Sequence, residues 1–159
     1  ALTGHQVLST MHCNDAAGAE ARLDEMGIAP FLISSSVILS CAQRLMRKIC
    51  SHCKEPVTYP SSMFRDLGIP PSTFDGVTLF RGRGCERCNN TGYSGRIAII
   101  EAMTISDEIR KVIIARGSSM EIMKVAMSQG MKPLRQVALD KVREGITTLE
   151  QTLVITSST

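Results

Sequence analysis

Four of the six cysteines stand in two CxxC pairs, Cys50 with Cys53 and Cys85 with Cys88. A CxxC turn lets two thiolates reach one metal ion, and two such turns supply the four ligands of a tetrahedral structural zinc site. The 31 residues between the pairs exceed the spacing of about 15–20 that is common in zinc ribbons. The intervening segment must therefore hold more than one hairpin, and its prolines and a short helix around residues 62–67 fit this expectation.

Disulfide bonds, a thioredoxin-like redox pair and an iron site are the alternatives for these cysteines. The first two are disfavoured because the chain has the features of a cytosolic protein and carries one CxxC unit more than a redox motif needs. A tetrathiolate zinc site is preferred. His52, inside the first pair, is expected to be a solvent-facing turn residue, while Cys13 and Cys41 are expected to be small, partly buried hydrophobic residues.

The composition is that of a globular protein: of 159 residues, 43% are hydrophobic, 21% charged and 4% aromatic. The net charge of +3 is spread widely and gives no reason to expect nucleic-acid binding, and few aromatic side chains are available to stack on bases. No apolar run approaches the roughly 18 residues of a membrane-spanning helix, and no signal peptide is visible. We expect a cytoplasmic protein whose first residues look like a cut made inside a fold.

Strands and helices are predicted to alternate. The pattern predicts strands at 7–11 and 96–103, a helix at 16–26 that stops at Gly27, and a second helix that opens at Pro30. Residues 37–49 could continue this second helix or break near Ser40 into a strand at 43–49, and the strand is preferred. The C-terminal part is predicted to be helical, with helix starts at Ser118 and Thr147, each followed by Glu three residues later. Four methionines in this part, at positions 120, 123, 127 and 131, are expected to pack in the core, and residues 157–159 are expected to fray.

The sequence has no GxxxxGK[ST] phosphate loop and no GxGxxG, HExxH or GxSxG motif. Nothing in the chain by itself is therefore expected to hold a triphosphate. From the residues alone, the prediction stops at an α/β domain that carries a zinc module.

Residues 2–16, LTGHQVLSTMHCNDA, closely resemble the second histidine-box segment of the ATPases that drive type II secretion and type IV pilus assembly. The resemblance continues through residues 22–33, the segment Ala42-Gln43-Arg44-Leu45, the two cysteine pairs, Gly92–Arg96 with Glu101, and residues 144–150. It covers residues 2–156. The cysteine pairs resemble the tetracysteine zinc module of the extension and secretion branch of this family.

This resemblance implies an α/β fold: the C-terminal part of a RecA-like P-loop ATPase domain, with an inserted tetracysteine zinc-binding module and a C-terminal helical region. The parts would be residues 1–49 of the ATPase core, the module at 50–95, and the return strand with the helical region at 96–159. The whole protein would be a hexamer that uses ATP and Mg²⁺ at the cytoplasmic face of the inner membrane, beside platform and adaptor proteins. The phosphate loop would lie upstream, so this fragment alone should not hydrolyse ATP.

The resemblance also implies roles for two residues near the N-terminus. His12 would be a catalytic residue near the γ-phosphate, where an imidazole can donate a hydrogen bond to phosphate or to the attacking water. Thr10 is a weaker candidate for nucleotide binding, on the same face as His12. Cys13 stands where the family usually has Thr. The alternative function is a free-standing zinc-ribbon module that binds protein or nucleic acid.

Overall fold

Helices and short strands alternate along the chain. The computed structural model describes residues 1–66 and 68–156, so the fraying expected at 157–159 lies outside the described residues. In chain order the elements are α1 (Gly18–Glu25), α2 (Pro30–Ser36), β1 (Leu39–Ile49), β2 (Lys54–Pro56), α3 (Ser61–Asp66), β3 (Phe80–Gly82), β4 (Tyr93–Thr104), α4 (Asp107–Ile114), α5 (Ser119–Ser128), α6 (Leu134–Arg143) and α7 (Leu149–Thr156). Short 3-10 turns lie at Pro71–Phe74 and Glu86–Cys88.

The chain divides into two compact units. Unit 1 comprises Ala1–Gln43 and Ile100–Leu134, and unit 2 comprises Arg44–Ile99 and Arg135–Thr159. The strands β1 and β4 pair with each other and each contribute residues to both units. The division into 1–49, 50–95 and 96–159 stays a prediction.

Unit 1 is built on helices whose apolar positions recur at helical spacing. In α4, Ile109 and Ile113 are buried, as the i, i+4 pattern predicts, while Asp107, Glu108 and Lys111 are exposed. The helix α2 packs against α4, and α4 packs against α5. The segment that carries His12 belongs to this unit.

Capping boxes predict the starts of α5 and α7, and one of these two predictions needs correction. Ser118 and Glu121 form the predicted capping box at α5. At α7 the prediction of Thr147 as the cap is wrong, because the Thr147 hydroxyl donates to the carbonyl of Arg47 instead. The cap is Thr148, whose hydroxyl accepts from the backbone N–H of Gln151.

The strand predicted at 7–11 does not form in the described structure. Residues 5–13 adopt no helix or strand, and most of their side chains are exposed. An extended segment becomes a strand only when its backbone groups find a neighbouring strand. Within residues 1–66 and 68–156 this segment has no such neighbour.

Two predictions of burial are also wrong. Met120 and Met127 are 78% and 49% exposed on α5, where Ile122 and Ala126 form the buried face. Cys41 is exposed, because it lies on the outward-facing positions of β1. Methionine and cysteine are tolerated on either face of a helix or strand, so residue type alone does not decide which of them are buried.

Unit 2 has its own apolar core, in which α6 and α7 pack against the segment between the two cysteine pairs. The buried members are Phe64, Phe74, Leu79, Leu139, Val142 and Leu149. Burying each such side chain is worth about 1.5–3 kcal/mol. The segment between the cysteines therefore has a source of stability other than a metal ion.

Among the described residues, no helix has the length and apolar character needed to cross a membrane.

Candidate functional site

The four cysteines of the two CxxC pairs are brought together by backbone turns. Cys50 follows β1 and donates its N–H to the carbonyl of Gly92, while the N–H of Cys53 closes the first turn onto Cys50. The second turn closes in the same way, from the N–H of Cys88 to the carbonyl of Cys85. Both pairs therefore present their sulfur atoms from tight turns, as CxxC spacing predicts.

The positions of the sulfur atoms fit a tetrahedral metal site. All four Sγ atoms lie within 4.8 Å of one another. The Sγ atoms of Cys50 and Cys85 are 3.9 Å apart, those of Cys53 and Cys88 are 3.9 Å apart, and those of Cys85 and Cys88 are 3.7 Å apart. Zinc–sulfur bonds of about 2.3 Å in a tetrahedron place sulfur atoms about 3.8 Å apart. This cysteine tetrad could therefore hold a metal ion.

Backbone N–H groups donate to two of the four sulfur atoms. The N–H of Gly84 donates to Cys53 Sγ at 3.3 Å, and the N–H groups of Cys85 and Gly92 donate to Cys88 Sγ at 3.2 and 3.3 Å. Burial of Cys88 opposes ionisation, but hydrogen bonds from these N–H groups and from the thiols of Cys85 and Cys53 together lower the pKa of the Cys88 thiol to about 6. At Cys53 burial prevails over the N–H of Gly84 and raises the pKa of the thiol. Such donors are the outer-shell partners that thiolate metal ligands commonly have.

Glycine is required where the two flanks of the second CxxC turn approach each other. A Cβ atom at Gly82 would overlap the backbone of Gly92, so β3 can approach the residues after Cys88 only without a side chain. Gly84 has a φ of +98°, and a Cβ there would lie 2.9 Å from the carbonyl oxygen of Asn90. These close approaches bring together the chain before Cys85 and the chain after Cys88.

His52 lies outside the sulfur cluster. Its side chain is exposed, and its Nε2 atom is 2.9 Å from Nη1 of Arg87, a residue of the second turn. The imidazole thus contacts the opposite CxxC turn at the surface, and the four sulfur atoms leave no ligand position for it.

His12 and Thr10 lie in the exposed segment at the N-terminus. His12 lines a surface concavity of about 280 Å³, together with residues of the loop that follows it and the polar side of α1, including Asp15, Arg22 and Glu25. Thr10 is not among the residues that line this concavity. The structure therefore associates His12, but not Thr10, with a polar depression.

The loop that follows His12 is anchored by residues distant in sequence. The backbone N–H of Ala16 donates to Oε1 of Glu101 at 2.7 Å, and the hydroxyl of Ser40 donates to the carbonyl of Ala16 at 2.9 Å. Glu101 belongs to the motif that carries the family resemblance, but its partner could not be read from the sequence. Contacts between residues this far apart leave no local pattern.

A second buried carboxyl lies on α1. Glu20 is 2% exposed, and neither of its carboxyl oxygens has a hydrogen-bond partner within the described residues. Burial, with a smaller contribution from the negative charge of Asp15, raises the pKa of Glu20 to about 7. No pattern in the sequence points to this burial, because a single Glu in an Ala-rich helix is usually exposed.

Comparison with known proteins gives the family. The model of the family described as "Type II/IV secretion system protein" matches residues 1–154. The chain belongs to this family. The predicted resemblance to secretion and pilus-assembly ATPases is thereby confirmed.

Individual relatives match over almost the whole chain. It is 49% identical over 156 residues to the type IV pilus assembly ATPase PilB of Thermus thermophilus, which covers 98% of this chain and 18% of PilB. It is 43% identical over 155 residues to the type II secretion system protein E of Pseudomonas aeruginosa, which covers 98% of this chain and 30% of that protein. The chain therefore spans less than a third of these relatives.

A solved structure agrees on the fold. The structure of the Legionella pneumophila ATPase DotB aligns with 100% of this chain and 34% of its own, with a TM-score of 0.58 at 18% identity. With the family match and the cysteine tetrad, this confirms the predicted fold class: α/β, the C-terminal part of a RecA-like ATPase domain with an inserted tetracysteine module and a C-terminal helical region.

Proposed function

We propose that this chain is the C-terminal part of a hexameric motor ATPase that powers type II secretion or type IV pilus assembly. The observation that carries the proposal is identity of 40–49% over nearly the whole chain to relatives with those two functions in their names. The motor would act at the cytoplasmic face of the inner membrane, against platform and adaptor proteins of the secretion or pilus machine. ATP and Mg²⁺ would bind mainly to residues outside this chain.

No observation favours the alternative of a free-standing zinc-ribbon module. The identity extends through both units and is not confined to the cysteine pairs. The coding sequence upstream of Ala1 tests this directly: a GxxxxGK[ST] motif in the same reading frame supports the motor. A start codon immediately before Ala1 would contradict it.

The ion held by the cysteine tetrad would be Zn²⁺ in a structural role. Four thiolates fill the tetrahedral positions, which leaves none for water or substrate, so the ion would cross-link the two turns and supply no catalysis. We expect about one Zn per chain by elemental analysis, and a Co²⁺-substituted chain with the absorption of tetrahedral tetrathiolate cobalt. Thiols of the tetrad that react freely in metal-loaded protein would contradict the assignment.

His12 would act on the nucleotide and Thr10 would assist its binding. The position of His12 at a polar concavity supports the first role, since its imidazole is free to reach a phosphate or the attacking water. In the full-length ATPase, His12→Ala should lower ATP turnover and leave the zinc content unchanged. The matched control is His5→Ala, which should leave both unchanged; unaltered turnover in His12→Ala would contradict the assignment.

A further inference from the structure

The two carboxyl oxygens of Glu101 bind two backbone groups from distant parts of unit 1. Oε1 accepts from the N–H of Ala16 at 2.7 Å, and Oε2 accepts from the N–H of Leu134, the first residue of α6, at 3.0 Å. Glu101 is 1% exposed on β4, so water does not compete for these bonds. A buried carboxyl with both oxygens satisfied by backbone N–H groups fixes those groups firmly.

Ala16 is held on its other side as well. The Ser40 hydroxyl, on β1, donates to the carbonyl of Ala16 at 2.9 Å. One step earlier, Asp15 accepts the N–H of Gly18 and so opens α1. Side chains from two strands thus hold both polar backbone groups of the residue at which the loop enters the helix.

His12 lies only four positions before Ala16, in a segment with neither helix nor strand. The backbone held at Ala16 therefore restrains where the loop can place His12. We propose that Glu101 is a positioning residue for the loop that carries His12, and that it couples this loop to the first residue of α6. The functional part of the proposal rests on the role of His12 proposed above.

The chemistry explains why a carboxylic side chain serves here. Glu101 must present two acceptors to two donors that approach from different elements. A glutamine of the same size has one acceptor, and its NH₂ group would face the other N–H donor. Glu101→Gln therefore breaks one of the two bonds with little change in volume.

The first test uses the chain as it is and needs no activity. Amide hydrogen exchange is measured for the chain, for Glu101→Gln and for Ile113→Val, a control that trims another buried side chain of unit 1. In Glu101→Gln, exchange at Ala16 or Leu134 should rise by about tenfold more than at Ile109. In the control, no such excess is expected. An equal rise at all three amides in Glu101→Gln would show that Glu101 does not hold Ala16 and Leu134 in place.

The second test measures ATP turnover in the full-length ATPase with a double-mutant cycle. Glu101→Gln should lower kcat by about tenfold and leave the KM for ATP within about twofold, and it should add nothing in a His12→Ala background. Equal losses in both backgrounds would overturn the positioning role. If His12→Ala alone leaves kcat unchanged, the proposed role of His12 fails, and with it the functional part of this inference. The exchange experiment still decides whether Glu101 holds Ala16 and Leu134 in place.

Discussion

The buried carboxyl of Glu20 is predicted to make the stability of the chain depend on pH. This carboxyl is buried on α1 without a hydrogen-bond partner in the described part of the chain, and burial raises its pKa from 4.5 to about 7. In the unfolded chain the group is solvated and keeps the lower value. Between these two pKa values the folded state therefore binds a proton that the unfolded state does not.

The sign of the pH dependence follows from this difference. Because the folded pKa is the higher one, the stabilisation is complete at low pH and is lost as pH rises through about 7. The whole shift corresponds to about 3 kcal/mol. Between about pH 5.5 and about pH 8.5 the expected loss is about 2 kcal/mol, since part of the shift falls below that window.

The assay is urea unfolding followed by circular dichroism at both pH values. Glu20→Gln removes the titrating group and should abolish this loss, so that the variant is the more stable of the two at high pH. Glu121→Gln is the matched control, because Ser118 lowers the pKa of Glu121 and the substitution should not improve stability at high pH. The same loss of stability with pH in Glu20→Gln and in the unaltered chain would show that Glu20 does not cause the pH dependence.

Three further substitutions test the packing of unit 2. Gly82→Ala should weaken metal binding, because its Cβ would overlap the backbone of Gly92; a chelator competition titration measures this, and unchanged affinity would contradict the close approach. Leu149→Ala should lower the free energy of unfolding by about 2–5 kcal/mol, since Leu149 is fully buried, and a loss below about 1 kcal/mol in urea unfolding would show that it is not a core residue. Thr148→Val should lower the free energy of unfolding by about 1 kcal/mol, because the N-terminal cap of α7 is lost. Unchanged stability by the same assay would show that Thr148 does not cap this helix.

Features specified by residues close together in the sequence could be predicted. The CxxC turns, the capping box at Ser118 and the helix that opens at Pro30 each depend on a few neighbouring residues. The family resemblance then supplied the fold, because many such short motifs occur in one order. For this reason the four cysteines of the tetrad could be predicted together.

Features that depend on distant partners could not be predicted. Thr147 has the spacing of a cap but donates to Arg47, a residue of β1, so Thr148 caps the helix. The hydrogen bond between Glu101 and the backbone of Ala16 joins positions that no local pattern connects. The segment at 7–11 has the composition of a strand but no strand beside it in the described residues.

ATP hydrolysis tests the claim that this chain is part of a motor ATPase. The measurement compares steady-state phosphate release, with Mg²⁺ present, by the full-length protein and by residues 1–159 alone. We expect turnover by the full-length protein, a lower rate after His12→Ala, and no release above background by the chain alone. A folded, zinc-loaded hexamer of the full-length protein that releases no phosphate would contradict the claim.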